Sequence, residues 1–315
     1  MTQTIIGIDV SKDHLDAHRL ADGRDARFTN DRAGHRALVR WIAAAPSDEA
    51  AKVVYEPTGA YHRAMEGALA KAGLALVKVN PARARRFAQA AGAPAKTDRL
   101  DAQMLARMAQ ALELPVRPVA DERLAALREL LRARRGLVRD RVAAKNREHT
   151  LTIDLLKRQT AQRLAQIDRH IEQIDAQIRA LISQDPALEQ RFQILTSIPG
   201  IGAQIACAIL IDLPEIGQIE PRKLTSLAGL APRTRQSGKW QGKAFVWGGR
   251  KPLRDALYMP ALVACRFNPD MKAKYHQLIA NGKPPKVAIT AIMRKLIVLA
   301  NALIRNHRKW APKTA

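Results

Sequence analysis

Cysteine is almost missing from this chain, with two in 315 residues, Cys207 and Cys265. Neither has a partner at metal-ligand spacing, which excludes a zinc module and a disulfide scaffold and fits a reducing, cytoplasmic setting. Both stand in apolar, helix-like surroundings and are expected in the core. Aromatic residues are scarce at 4%, and no basic helical pattern carries an aromatic face suited to a membrane surface. No run approaches the ~18 uninterrupted apolar residues of a membrane-spanning helix. The opening MTQTIIGIDVSKD has neither a basic stretch nor a cleavage site, so a secretory signal is not expected. Acid is the other deficit: 29 Asp and Glu stand against 53 Lys and Arg, a formal net charge of +24.

What is present narrows the reading further. Apolar residues make up 47% of the chain, enough to fill real cores and to exclude a disordered basic tail. The length suggests about two domains. A charge of this size calls for a polyanion, with nucleic acid ahead of an anionic membrane. The surplus is uneven. Residues 1–50 carry 7 basic and 8 acidic groups, 51–150 carry 20 and 10, 151–200 carry 6 of each, and 201–315 carry 20 and 5.

Residues 1–117 alternate strand and helix patterns. Ile5 to Val10, Leu15 to Leu20 and Ala26 to Thr29 read as strands with Asp22-Gly23 as a hairpin turn, and further strands run at 51–55 and 74–79. Helical spacing marks 33–45, 61–72, 81–91 and 97–112. Three hairpin-like strands followed by alternating helices and strands predict an α/β, ribonuclease-H-like sheet. Residues 118–188 read as one long helical region. Leu164, Ile167, Ile171, Ile174, Ile178 and Leu181 make a 3-4-3-4-3 seam there, a coiled-coil signature whose partner lies within the chain or in another copy. Residues 189–315 read as all-α, interrupted by a Gly- and Lys-rich loop at 233–250.

Four acids stand out. Asp9 lies in the first strand, Glu56 follows the fourth, and Asp98 and Asp101 share a helix face three residues apart. Carboxylates brought together at strand ends repel unless a cation sits among them, and hard oxygen ligands suit Mg²⁺ or Mn²⁺ acting on a phosphodiester. Asp98 and Asp101 also fit a solvated first helical turn behind a Thr97 cap. Asp13 and Asp16 rank below Asp9. Pro199-Gly200-Ile201-Gly202, between two apolar helices, reads as the turn of a helix-hairpin-helix that offers backbone N–H groups to phosphate. Ser237 sits in Arg233-Thr234-Arg235-Gln236-Ser237-Gly238-Lys239, which suits a phosphate contact or a nucleophile. From chemistry alone an ordinary loop serine is the better reading. Arg250, Arg254, Arg294 and Lys295 extend the basic surface. His14, His18, His35 and His62 are expected at the surface.

Taken together, Gly7-Ile8-Asp9-Val10-Ser11-Lys12, Tyr55-Glu56-Pro57-Thr58-Gly59, Asn80-Pro81, Lys96-Thr97-Asp98-Arg99-Leu100-Asp101, Ile198-Pro199-Gly200-Ile201-Gly202, Ser237-Gly238 and Leu257-Tyr258-Met259-Pro260-Ala261 resemble the DEDD insertion-sequence transposases, relatives of the Piv-type DNA invertases. The resemblance implies a RuvC-like domain carrying Asp9, Glu56, Asp98 and Asp101 as metal ligands, a coiled coil for assembly, and a C-terminal transposase domain with Ser237 as nucleophile. It implies a serine recombinase that exchanges donor and target DNA under a noncoding bridge RNA. It also implies a dimer, or a tetramer around two DNA segments, in the bacterial nucleoid. The rival readings are a RuvC-type metal-dependent nuclease and a noncatalytic RNA-binding protein.

Overall fold

The computed structural model describes residues 4–45, 51–92, 98–116, 122–234, 236–237, 240–242 and 244–312, with the side chains of 98–100, 240 and 241 left aside. The chain forms two compact units, Met1–Ala120 and Asp121–Ala315.

Unit 1 is built on one sheet. Strands β1 (Ile5–Val10), β2 (His14–Arg19) and β3 (Arg24–Thr29) are antiparallel neighbours, and β4 (Lys52–Tyr55) and β5 (Ala75–Lys78) continue the sheet in parallel from β1. The strand order is β3-β2-β1-β4-β5. Helices α1 (Arg32–Ala43), α2 (His62–Lys71), α3 (Pro81–Ala90) and α4 (Asp98–Leu112) complete it. Local chemistry sets several boundaries. Asp31 caps α1 by accepting from the Gly34 amide at 2.7 Å, and Asn80 caps α3 from the Ala82 amide at 2.9 Å with Pro81 at the first helical position.

Alternation along β1 divides two cores. Ile6, Ile8 and Val10 pack with Leu38 and Ile42 of α1 and Met65 and Leu69 of α2. On the other face, Val54 and Val77 pack with Leu105, Met108 and Ala109 of α4. Gly7 faces α4. A β-carbon there would lie 1.9 Å from the Ala102 carbonyl oxygen and 2.8 Å from the Ala106 amide nitrogen. The absence of a side chain at Gly7 is therefore what lets α4 lie on β1.

Because both faces are covered, three histidines expected at the surface are buried instead. His18 pairs with Asp25 at 2.7 Å, His35 Nε2 meets Asn30 Oδ1 at 2.8 Å, and His62 lies 3.4 Å from Lys78 Nζ. Burial pushes His35 and His62 below the usual histidine range, with Lys78 adding to the effect at His62. Only His14 of the four is exposed.

Unit 2 is mainly helical. The region expected to be helical breaks at residues 149–153 and folds back as α5 (Glu122–Glu148) and α6 (Asp154–Ser183). The seam on α6 is buried at Leu164, Ile167, Ile171 and Ile178, and arginines of α5 clasp its flank. Arg134 forks onto Asp175, and Arg141 reaches Asp168 at 3.0 Å. The seam's partner is α5 of the same chain. Leu127, Leu131, Ile178 and Ile182 join this hairpin to a core shared with α7 (Pro186–Thr196), α8 (Ala203–Asp212) and α9 (Pro221–Leu227).

The loop expected at 233–250 holds two short antiparallel ladders. Strands β6 (Pro232–Arg233) and β9 (Phe245–Val246) pair, as do β7 (Gln236–Ser237) and β8 (Trp240–Gln241). The expected 251–266 helix divides at Leu257 into α10 (Lys251–Ala256) and α11 (Tyr258–Phe267), followed by α12 (Pro269–Ala280) and α13 (Pro285–Arg305). Among the described helices, α13 is long and apolar enough to cross a membrane by length and composition, and over half of that stretch is buried inside unit 2. It is a core helix, with Ile292, Leu296, Ile297 and Ala300 fully enclosed. Asn301 on it accepts from the Gly217 amide at 2.7 Å and donates to the Ile219 carbonyl at 3.0 Å, pinning the loop after α8. Cys207 is buried in the same core, which pushes its thiol up to about 11, and Cys265 is half-buried at the core edge.

Candidate active site

The acids of unit 1 are placed by strand register. In the parallel β1/β4 pair, Ile8 stands beside Tyr55, so the next residues along, Asp9 and Glu56, leave neighbouring strand ends together. Asp9 follows Gly7 by two and Glu56 follows Val54 by two, so alternation turns both toward the α4 side. Both are half-buried. Helix α4 brings Asp98 and Asp101 to its own N-terminal end, and Ala102, next to Asp101, is the residue seated on Gly7. Asp101 is half-buried, while Thr97, the alternative cap, lies outside the described residues.

In unit 2, Ser237 is exposed and pairs with Trp240 in the β7/β8 ladder, which lies in sequence between the two strands of the β6–β9 arm. The base of the arm is a close backbone crossing. A β-carbon on Gly249 would lie 2.3 Å from the Gly229 nitrogen and 2.6 Å from the Leu227 carbonyl oxygen, and both glycines have positive φ, 63° and 67°. Only glycine meets both demands. Three of the arginines singled out from the sequence brace this crossing. Arg254 Nη1 donates to the Gly248 and Gly229 carbonyls at 2.9 and 3.2 Å, and Arg294 Nε to the Leu230 carbonyl at 3.1 Å. Arg250 forks onto Glu215 at 2.6 and 2.8 Å and also reaches the Asp212 carbonyl. Burial alone would raise the Glu215 carboxyl. The hydrogen bonds and charge of Arg250 outweigh burial and hold it below the usual range. Arg233 and Lys295 are exposed, whereas Arg235 and Lys239 lie outside the described residues.

The turn at 199–202 joins α7 to α8. Ile201 is buried, and a β-carbon on Gly200 would meet the Pro260 carbonyl oxygen of α11 at 2.7 Å, so Gly200 faces the core. Gly202, Ala203 and Gln204 at the start of α8 are exposed.

Comparison with known proteins agrees with this layout. Residues 6–158 match the DEDD family described as Transposase, and residues 192–276 match the Transposase IS116/IS110/IS902 family. The pilin gene-inverting protein of Moraxella bovis is 32% identical over 98% of both chains. The chain belongs to the DEDD insertion-sequence transposase family. An insertion element IS110 protein of 43.6 kDa from Streptomyces coelicolor is 29% identical over 50% of this chain and 38% of its own.

The transposase is thus a DNA-recombining enzyme with a mixed α/β sheet in unit 1 and a largely helical unit 2. A divalent metal is what a DEDD acid set implies in general. The donor chemistry fits: Asp9, Glu56 and Asp101 are all hard carboxylates on adjoining elements, as a cation such as Mg²⁺ prefers. Among the described residues, which leave the Asp98 side chain aside, no three His, Cys, Asp or Glu side chains stand close enough to hold an ion. One feature of the transposase escapes sequence pattern, and one acid ranked low there gains a place beside the site. Trp247, exposed at the arm's base, lies under the Arg233 guanidinium at 4.7 Å. Its signal is an aromatic in a basic loop, the composition of a base-stacking surface. The acid is Asp16, which register places directly opposite Asp9.

Proposed function

We propose that the transposase exchanges DNA strands through a phosphoserine link at Ser237, with Asp9, Glu56, Asp98 and Asp101 holding Mg²⁺ (or Mn²⁺) at the scissile phosphate. The observation that carries this reading is the register that sends Asp9 and Glu56 off adjacent parallel strands, beneath the helix that bears the other two acids. The sheet order β3-β2-β1-β4-β5, with its first three strands antiparallel, supports a RuvC-like assignment. The bound ion supplies positive charge that offsets the charge developing on phosphate. Ser237 Oγ forms the new bond to phosphorus, and one deoxyribose oxygen leaves. The same ester is then attacked by the incoming strand's hydroxyl, which restores the serine and needs no external energy source.

The exposed start of α8, together with Arg233 and Lys295, supports backbone contacts to DNA or RNA of the helix-hairpin-helix kind. Arg235 and Lys239 flank the serine in sequence and serve the same end. Contacts to backbone carry no sequence choice, which supports delegating that choice to a noncoding bridge RNA paired with donor and target. A dimer, or a tetramer around two DNA segments, is the assembly that exchange between two duplexes requires.

Two measurements test this. Asp9→Asn and Glu56→Gln are expected to lower strand exchange at least about a hundredfold while preserving the fold, since each loses one charge and little volume. Full exchange by either variant sinks the acid assignment. Protein purified from cells carrying its native flanking DNA is expected to retain one short RNA of defined sequence. Recovery of bulk nucleic acid alone counts against guidance.

A further inference from the structure

The β1/β2 register places Asp16 directly across from Asp9, and alternation turns both to the α4 side of the sheet. Facing carboxylates on neighbouring strands repel. The chain offsets this from the next strand. Arg27, opposite Asp16 in the β2/β3 register, donates from Nε to Oδ1 at 2.8 Å and from Nη2 to Oδ2 at 3.0 Å. The Asp16 side chain is only 13% exposed and that of Arg27 58%, so the guanidinium roofs the carboxylate. The pair lines a cleft of about 160 Å³ that also touches Asp25 and Ala102, the residue after Asp101. A fifth acid therefore lies on the face of Asp9, held in a bidentate pair.

We propose that Arg27 is a positioning residue for the metal site: by pairing with Asp16 it keeps that carboxylate out of the acid set and fixes the net charge beside Asp9. This rests on the reading of Asp9, Glu56, Asp98 and Asp101 as the residues that hold the ion. The pair is neutral. Removing Arg27 adds one negative charge next to the ion, and removing the Asp16 charge adds one positive. The two changes therefore act on ion binding with opposite signs, which a merely structural strand pair does not do.

The test is Mn²⁺ binding to the full-length protein by calorimetry, beside the Mn²⁺-induced rise in unfolding temperature. The variants are Arg27→Gln, Asp16→Asn, the double variant and Arg27→Lys. At several ångströms and near-aqueous screening, one charge against a divalent ion is worth about five- to tenfold in affinity. Arg27→Gln is expected to tighten binding by that factor and Asp16→Asn to weaken it by the same. The double variant and Arg27→Lys, which keep the pair neutral overall, should stay within about threefold of the parent. Arg27 is exposed on the edge strand, so the variants should fold, and unfolding without metal checks this. Equal binding by all of them, or weakening by both single changes, overturns the proposal. Asp9→Asn separates the two readings. If it leaves Mn²⁺ binding unchanged, the acid-set reading fails; if it abolishes binding while the charge pairs have no effect, only the role of Arg27 fails.

Discussion

Ser237→Ala is expected to abolish strand exchange and the covalent protein–DNA adduct together, by about 10³-fold or more. The residue is exposed at the end of a short ladder and packs into no core, so loss of its hydroxyl should change stability by less than about 0.5 kcal/mol. The effect is then chemical. The bracing of the arm reinforces this, because the Gly229–Gly249 crossing and the Arg254 and Arg294 hydrogen bonds do not involve the serine. Denaturing gels of protein incubated with labelled element-end DNA and Mg²⁺ read the adduct directly. A variant that still forms the adduct removes Ser237 as nucleophile. Free DNA ends without adduct in the parent protein instead indicate metal-assisted hydrolysis by water.

Gly7→Val is expected to cost unit 1 about 3–5 kcal/mol, a large share of the 5–15 kcal/mol that holds a domain together. The colliding atoms are backbone, the Ala102 carbonyl oxygen at 1.9 Å and the Ala106 nitrogen at 2.8 Å from a β-carbon. No side-chain rotation relieves that contact; α4 as a whole must lift from β1. Lifting it exposes Leu105, Met108 and Ala109 and carries Asp98 and Asp101 away from Asp9 and Glu56. The variant should lose the unit 1 unfolding transition at 37 °C while unit 2, with its own core, still unfolds cooperatively. Limited proteolysis with mass spectrometry assigns the transitions. A Gly7→Val protein that unfolds like the parent means that α4 does not dock on β1.

Most elements were legible because their signals are local. A short apolar run marks β1, and helical spacing marks α1, α12 and α13. Failures came where the deciding contact is distant in sequence or the segment is too short for a period. The ladders of β6–β9 are two residues long, so alternation has no room to appear. The break at 149–153 contains neither glycine nor proline. It forms because α6 gains more by packing its seam on α5 than by extending it. His18 and His35 look like surface residues until helices cover both sheet faces and Asp25 and Asn30 supply their hydrogen bonds.

The sequence by itself determined the kind of partner, the residue types available for chemistry and the family. Charge, carboxylates and motif order are properties of the chain whatever its shape. Tertiary structure alone decided which of those residues act on one another. Asp9 has Glu56 on one side and Asp16 on the other because β1 pairs with β4, distant in sequence, and with β2, its hairpin neighbour, each in one register. Arg27 and Arg250 are both positive in the sequence, yet the fold commits one to Asp16 and the other to Glu215. A charge close to its partner in a sheltered site is held there, whereas the same charge in solvent remains available to a nucleic-acid backbone.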